Sequence, residues 1–377
     1  MSPELPGIAN LYVHAPFCAR RCGYCDFAVE VDGDPDGSRW LDAIGRELDA
    51  VRASGEAPLA PVLETLYVGG GTPSLLRPRF IAGLAGAVGR ERLANPALEW
   101  TVEANPESFG RPAAAAWAGA GVNRISFGVQ SFDRGALKWM GRLHSPADAR
   151  TAVEDARAAG IANLSVDLVF GLPDNVPRSW EDDIARALLL AVPHISLYGL
   201  TVEKGTPLHR AAAEGRAPMP AGDRYRDEYL FAAETLAKAG YEHYEVSNFA
   251  LPGFGSRHSA ACWRGAPYLG LGNGAHSYYE GRRWWNGRDW AAYAEEVERS
   301  GRAVAGEEFL SAGQARLEAL WLGLRTAEGL ELAKLPAPAR SAPRRWEAAG
   351  WASRSAGRTR LTPEGWLILD DLALELA

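Results

Sequence analysis

The chain has 377 residues, of which 47% are hydrophobic and 23% are charged, so it can bury a large core without disulfide bonds. Its 40 Lys and Arg against 47 Asp and Glu give a formal net charge of −7, which argues against a nucleic-acid-binding surface. The amino terminus lacks the features of a secretory signal, and no apolar run reaches the ~20 residues that span a bilayer. We therefore expect a cytoplasmic protein without a transmembrane segment.

Short apolar segments alternate with helical segments through the first two-thirds of the chain. The spacing of apolar residues predicts helices at residues 38–53, 77–88, 146–159 and 178–190. The apolar segments between them predict six strands, at residues 11–14, 65–68, 99–102, 124–127, 165–169 and 194–197. This alternation predicts an α/β protein with a parallel sheet, either a barrel or a doubly wound open sheet.

The remaining chain changes character twice. After a predicted helix at 223–239, residues 241–288 are rich in Gly, His and aromatic residues without periodicity, and we expect irregular structure with a functional purpose there. Helices follow, notably 314–324, and residues 344–376 predict a helix, a short strand at 359–361 and a helix beginning near Pro363. We therefore divide the chain into a barrel (1–240), a connecting region (241–300) and a mainly helical, winged-helix-like domain (301–377).

Three cysteines lie within eight residues directly after the first predicted strand. The spacing Cys18-x3-Cys22-x2-Cys25 can ligate one [4Fe-4S] cluster and leave the fourth iron without a protein ligand. The alternative is a structural zinc site that recruits His14 as its fourth ligand.

The surrounding residues resemble the radical S-adenosylmethionine superfamily. The resemblance begins with LYVHAPFCARRCGYCDF at 11–27 and continues through GGGTP, TVEANPE, SFGVQSF, MGRLH and VDLVFGLP to LYGLTVEKGTPL at 197–208. It is closest to the branch that contains oxygen-independent coproporphyrinogen III dehydrogenases and haem chaperones. It implies an incomplete parallel (β/α)6 barrel, in which the free iron of the cluster binds S-adenosylmethionine and can cleave it to a radical.

The same resemblance implies which residues contact S-adenosylmethionine. Glycines without a Cβ let the backbone approach the methionine moiety, a hydroxyl and carboxylates suit its polar groups, and an arginine could pair with its carboxylate. The alternatives are a simple tight turn for the glycines, salt bridges for the carboxylates and ordinary core packing for the tyrosines. The residues are Tyr12, Tyr24, Gly70, Gly71, Thr72, Glu103, Gln130, Arg142 and Asp167.

Two features distinguish the functions that share this scaffold. The dehydrogenase pattern has a further cysteine two residues after the last ligand, where this chain has Phe27. It also has an extension before the first strand, whereas only about ten residues precede that strand here. Both differences favour a haem chaperone, which carries haem to acceptor proteins.

A third feature is the segment His258-Ser259-Ala260-Ala261-Cys262-Trp263. It resembles a His-Asn-x-x-Tyr-Trp motif of the chaperone branch, with Ser and Cys in place of Asn and Tyr. If the segment is helical, His258 and Cys262 lie on one face, and either could offer an axial ligand to haem. The alternative is a structural, hydrogen-bonded His258 and a small buried Cys262.

The chaperone interpretation implies haem as cargo, acceptor haem proteins of respiration, an electron donor for the cluster and peripheral contact with the membrane during delivery. Coproporphyrinogen dehydrogenation is the first alternative function. The second is a non-catalytic binding protein that a metal site merely stabilises.

Overall fold

The computed structural model describes residues 7–376. The first two hundred residues contain eight strands, and all six predicted strands lie within them. Their bounds are β1 Asn10–Ala15, β2 Phe17–Cys18, β3 Glu30–Val31, β4 Thr65–Gly70, β5 Glu99–Ala104, β6 Arg124–Gln130, β7 Asn163–Phe170 and β8 His194–Gly199. β1, β4, β5, β6, β7 and β8 are neighbours in this order and run parallel, while β2 and β3 form a separate pair.

Helices connect the parallel strands and cover their outer face. They are α1 Gly37–Ser54, α2 Pro78–Val88, α3 Arg111–Ala120, α4 Arg134–Met140, α5 Pro146–Ala158, α6 Trp180–Leu189, α7 Pro207–Ala213 and α8 Gly222–Lys238. Local sequence fixes their ends: Ser145 and Asp148 form a capping box at the start of α5, and α1 stops at Gly55, whose φ is +67°. The result is the incomplete (β/α)6 barrel that the resemblance implied.

Alternation along each strand separates an apolar outside from a polar inside. Val13, Val68 and Val102 are fully buried in the layer between strands and helices. The residues beside them face the interior, where Tyr67 donates to Glu103 and Ser126 donates to Asp167. The interior of the barrel is therefore lined with hydrogen-bonding side chains.

The segment 241–288 was predicted to be irregular, and that prediction is wrong. The segment contributes β9 Glu242–Glu245, β10 Asn248–Ala250, α9 Arg257–Trp263, β11 Tyr268–Leu271, β12 His276–Tyr279 and β13 Arg282–Asn286, followed by α10 Trp290–Ser300 and β14 Val304–Phe309. β11 pairs parallel with β1, and β12 to β14 extend that edge in antiparallel fashion; β10 and β9 extend the other edge from β8. The strands within 241–288 have only three to five residues, so their pattern is too short to be recognised before their partners are known.

The last part of the chain has the predicted helix, strand and helix. Its elements are α11 Ala312–Leu324, β15 Leu330–Glu331, short 3-10 turns at Leu332–Lys334 and Ala337–Ser341, α12 Ala342–Ala348, β16 Ala352–Ser355, β17 Arg358–Leu361, α13 Pro363–Trp366 and α14 Leu369–Leu374. Three strands form a small sheet in the order β15-β17-β16. Trp366 links this part to the barrel sheet, because its indole donates to the Leu324 carbonyl at the end of α11 and its ring centroid lies 4.2 Å from that of His243 in β9. The division at residues 240 and 300 stays a proposal.

Candidate functional site

The loop that carries the three cysteines leaves the carboxyl end of β1. Cys18 lies in β2, held against Val31 of β3, and the Leu208 amide at the start of α7 donates to the Gly23 carbonyl at 2.9 Å. Cys18, Cys22 and Cys25 are free thiols, each partly buried. The loop is therefore held at both sides, with its thiols at the mouth of the barrel.

The groups around the thiols suit anionic sulfur. The Thr72 hydroxyl donates to Cys18 Sγ at 3.5 Å, and an Arg142 guanidinium nitrogen lies 4.0 Å from Cys22 Sγ. Burial raises the pKa of the Cys18 thiol, and the hydrogen bond from Thr72 opposes that rise. Three cysteines on one loop with a cation and a hydroxyl beside them form a donor set that fits an iron–sulfur cluster with one open iron.

The zinc alternative required His14 as a fourth ligand. Both ring nitrogens of His14 are already engaged, one with the Ala28 carbonyl at 2.9 Å and the other with the Tyr12 hydroxyl at 3.0 Å. Among residues 7–376, no group of three or more His, Cys, Asp or Glu side chains is arranged to hold a single metal ion. The geometry gives no support to a zinc site with His14.

The glycine turn after β4 packs closely against the cluster loop. Gly70 has φ +112°, and a Cβ there would overlap the His14 imidazole. A Cβ on Gly71 would lie 2.6 Å from the Pro16 carbonyl oxygen. The turn thus needs glycine for its own packing as well as for close approach of its backbone to a ligand. Thr72, the residue that follows, supplies the hydroxyl that donates to Cys18.

Two carboxylates lie in the barrel interior below this turn. Glu103 accepts from the Tyr67 hydroxyl at 2.7 Å and from the Gly70 amide at 3.1 Å, and Asp167 accepts from Ser126 at 3.0 Å. Within the described residues neither forms an ion pair. Burial raises the pKa of Glu103 to about 7 and also raises the pKa of Asp167. Buried carboxylates without a cationic partner fit a ligand that brings positive charge or hydroxyl groups.

Arg142 and Gln130 meet at the carboxyl end of β6. Arg142 donates to the Asn105 side chain at 2.5 Å and to the Gly128 carbonyl at 2.7 Å, while its Nε finds no hydrogen-bond partner among residues 7–376. Gln130 has the positive φ of +67°, and its amide nitrogen would lie 3.0 Å from a Cβ on Gly128. The three side chains therefore converge on one backbone position.

The two predicted tyrosines lie on different sides of the loop. Tyr12 projects into the barrel, where its ring stacks on Tyr67 at 6.1 Å. Tyr24 packs on a separate apolar cluster that includes Leu137 and Met140 of α4. Tyr12 is thus beside the carboxylates, and Tyr24 fixes the cysteine loop to the neighbouring helix.

Sequence reasoning missed Asn105 and Tyr67, which orient Arg142 and Glu103. Asn105 stands in the recognised TVEANPE motif, so a polar residue after the β5 strand was a usable signal. Tyr67 carried none, since an aromatic residue in a strand is ordinarily core.

His258 lies at the opposite end of the barrel. Residues 257–263 are helical, which meets the condition set for the ligand hypothesis, although the segment was predicted to be irregular. His258 is buried, with one ring nitrogen 2.7 Å from the hydroxyl of Thr65, the first residue of β4. Its amide donates to Glu99, the first residue of β5, at 3.0 Å. Burial lowers the pKa of His258 to about 4. These contacts are the ones expected if His258 is a structural, hydrogen-bonded residue and not a haem ligand.

Cys262, one turn later, points away from the barrel into a groove of about 1320 Å³. The structure therefore does not bring Cys262 and His258 to a common opening. Burial raises the pKa of the Cys262 thiol to about 11. The groove runs between α9, the β11–β13 face and α11, and its walls include Trp263, Tyr268, His276, Tyr278, Arg283, Trp285, Arg316, Leu317 and Trp321.

Comparison with known proteins agrees with the fold. The family model described as "Radical SAM superfamily" matches residues 12–187. The haem chaperone HemW of Mycobacterium tuberculosis is 37% identical over 97% of this chain and 96% of that protein, and HemW of Lactococcus lactis is 35% identical over 86% and 83%. The structure of coproporphyrinogen III oxidase HemN from Escherichia coli, described as a radical SAM enzyme, matches with a TM-score of 0.81 and 21% identity over 98% of this chain and 90% of that one. Within residues 7–376, no helix has the length and apolarity to cross a membrane.

Proposed function

This chain belongs to the HemW family of the radical SAM superfamily, and on that premise we propose that it is a haem chaperone that binds haem and passes it to acceptor haem proteins. The observation that carries the proposal is similarity to HemW proteins over nearly the whole chain, the groove end included. Phe27 supports it, since this residue occupies the position of the further cysteine of the dehydrogenase pattern and is 57% exposed beside the cluster loop.

The carboxyl end of the barrel fits a [4Fe-4S] cluster and S-adenosylmethionine. Cys18, Cys22 and Cys25 would hold the cluster, which when bound supplies an electron and an open coordination site for the cofactor. Arg142 would meet the carboxylate of the methionine moiety, and Thr72 keeps the Cys18 sulfur hydrogen-bonded.

The barrel interior supplies the remaining contacts. Glu103, whose carboxylate lacks a cation, would accept the ammonium group, and Asp167 would accept ribose hydroxyls. Gln130, which lies beside Gly128 and Arg142, and Tyr12, which stacks on Tyr67, would restrict the pose of the adenosyl moiety. An external electron donor and the acceptor haem proteins complete the proposed partners.

The test is anaerobic purification followed by iron and sulfide analysis, haemin titration and transfer of bound haem to an acceptor apoprotein. We expect an oxygen-sensitive cluster and a stoichiometric haem complex. We also expect the bound haem to move from this protein to the acceptor apoprotein. A wild-type protein that carries its cluster and binds no haemin would contradict the proposal. Vinyl product from coproporphyrinogen, in an assay with reduced cluster and S-adenosylmethionine, would favour the dehydrogenase instead.

A further inference from the structure

The groove beside Cys262 has a volume of about 1320 Å³, and it lies away from the cluster end of the barrel. We propose that this groove is the haem seat and that His276 is its axial ligand. This inference rests on the proposed function. It adds the location of the haem-binding site and an iron ligand, neither of which the motif at 258–263 provides.

Strand register puts the relevant side chains on one face. Tyr268 of β11 is opposite Tyr278 of β12, and His276, two residues before Tyr278, is opposite Trp285 of β13. Because side chains alternate along a strand, His276 and Tyr278 point to the same side, and both line the groove. The His276 ring stacks on Trp285 at 5.7 Å with 26° between the planes. This wall is a row of flat rings with one imidazole in it.

The facing wall is also aromatic. Trp263 at the end of α9 and Trp321 in α11 enclose the Arg325 guanidinium, which lies 4.4 Å and 5.0 Å from their ring centroids. Leu317 of α11 and Leu374 of α14 line the groove with 38% and 70% of their surface exposed. Two aromatic walls with an apolar rim suit a planar, largely apolar ring system.

His276 is the histidine that is free to bind iron there. Five of the seven histidines use a ring nitrogen in a hydrogen bond with the protein: His14, His144, His194, His243 and His258. His276 makes none within residues 7–376 and is exposed to the groove. Haem iron is commonly held by a neutral histidine nitrogen. The thiol of Cys262 is the weaker candidate, because burial keeps it protonated at neutral pH.

The charges of the groove leave one cation for a haem propionate. Of the five cations that line the groove, four form ion pairs: Arg264 with Glu328, Arg283 with Glu308 and Glu318, and both Lys334 and Arg358 with Glu331. Arg316 of α11 lines the groove and forms no ion pair within the described residues. An unpaired guanidinium beside an aromatic groove suits a carboxylate, so Arg316 is the expected propionate partner.

The experiment titrates the cluster-loaded full-length protein with haemin and, separately, with metal-free protoporphyrin IX. His276→Ala should weaken haemin binding by at least about tenfold, abolish the absorption of a histidine-ligated haem and leave protoporphyrin binding unchanged. Added imidazole should restore that absorption. His209→Ala is the matched control, since the His209 ring also lacks a hydrogen bond in the described part of the chain and does not line the groove; it should behave as wild type.

A second variant tests the place independently of the ligand. Ala319 is an exposed residue of α11 that lines the groove, so Ala319→Trp should fill space without disturbing the core. It should weaken haemin and protoporphyrin alike, with unchanged circular dichroism. If wild type binds haemin and both His276→Ala and Ala319→Trp bind it normally, the inference is wrong while the chaperone proposal stands. If wild type itself binds no haemin, the chaperone proposal fails first.

Discussion

The two ends of the barrel are both polar, yet their polar groups are in different states. At the carboxyl end, Glu103 and Asp167 are buried carboxylates that form no ion pair with any residue of 7–376, and burial raises the pKa of both. At the amino end, His258 is bonded to Thr65, and Glu99 accepts the first amides of α9. Buried polarity by itself therefore does not mark a ligand site. What points to a ligand at the carboxyl end is the position of Glu103 and Asp167 in the barrel interior, beside the glycine turn and the cysteine loop.

Loss of the cluster is the simplest test of whether the two ends of the barrel act separately. Cys22→Ser should reduce bound iron from about four atoms per chain to almost none, because the remaining two thiolates cannot hold the cluster. Haemin binding should be kept if the two sites lie at separate ends of the molecule. Iron and sulfide analysis with haemin titration measures both properties in one preparation.

Cys262→Ser is the matched control for that experiment, since Cys262 lies in the groove. It should keep its iron. If it loses iron as Cys22→Ser does, the fourth cysteine takes part in the cluster site and the separation of the two ends is wrong.

Protonation tests the amino end. Burial lowers the pKa of His258 from 6.5 to about 4. His258 is therefore protonated near pH 6.5 in the unfolded chain but only near pH 4 in the folded protein. The unfolded state thus binds more protons in this window, and the free energy of unfolding must fall as the pH is lowered through it. His258→Gln removes that contribution and should flatten the fall between pH 7 and pH 5 by about 1–2 kcal/mol.

Urea unfolding followed by circular dichroism at the two pH values measures this difference. His258→Gln should also be less stable than wild type at pH 7, because Thr65 loses a buried hydrogen bond. His209→Gln should retain the wild-type pH dependence. An equally steep fall in His258→Gln would show that other buried groups, such as His14 with its pKa of about 4, account for the acid sensitivity.

Whether the sequence alone predicts a feature of either end of the barrel depends on whether the signal is local or comes from residues far apart in the chain. The positions of the barrel strands are a local signal, and the structure agrees with them. The cysteine spacing is also local, and its assignment to a cluster stays a prediction. The helix at 257–263 lies in a segment that was predicted to be irregular, so its local pattern did not reveal it. The direction in which α9 points each side chain depends on how it docks against β4 and β5, more than 150 residues away, so its pattern could not separate His258 from Cys262. The pairing of β11, β12 and β13, which puts His276 in the groove, is likewise invisible until the strands are aligned.

The charge state of Glu103 provides a test of the proposed cofactor site at the carboxyl end of the barrel. A cationic ligand favours the ionised carboxylate, and the pKa of Glu103 without it is about 7. S-adenosylmethionine affinity should therefore rise with pH up to about 8 and fall below 7, and Glu103→Gln should weaken binding about tenfold and remove this dependence. Calorimetric titration of the cluster-loaded protein across this range measures it. Glu181→Gln, at an exposed position of α6, is the control, and a pH profile unchanged in Glu103→Gln would remove Glu103 from the site.

The smallest effect expected is at Gln130, whose φ of +67° is unusual for a residue with a Cβ. Gln130→Gly should relieve this strain and raise the free energy of unfolding by up to about 1 kcal/mol, since glycine adopts such angles freely. It should nevertheless weaken S-adenosylmethionine binding, because the amide side chain that meets Arg142 and Asn105 is lost. Ala356→Gly, at φ +49° in the turn between β16 and β17, is the matched control. It should gain similar stability and leave cofactor affinity unchanged. If Gln130→Gly gains stability without losing affinity, the strain at this end of the barrel belongs to the fold and not to the cofactor site.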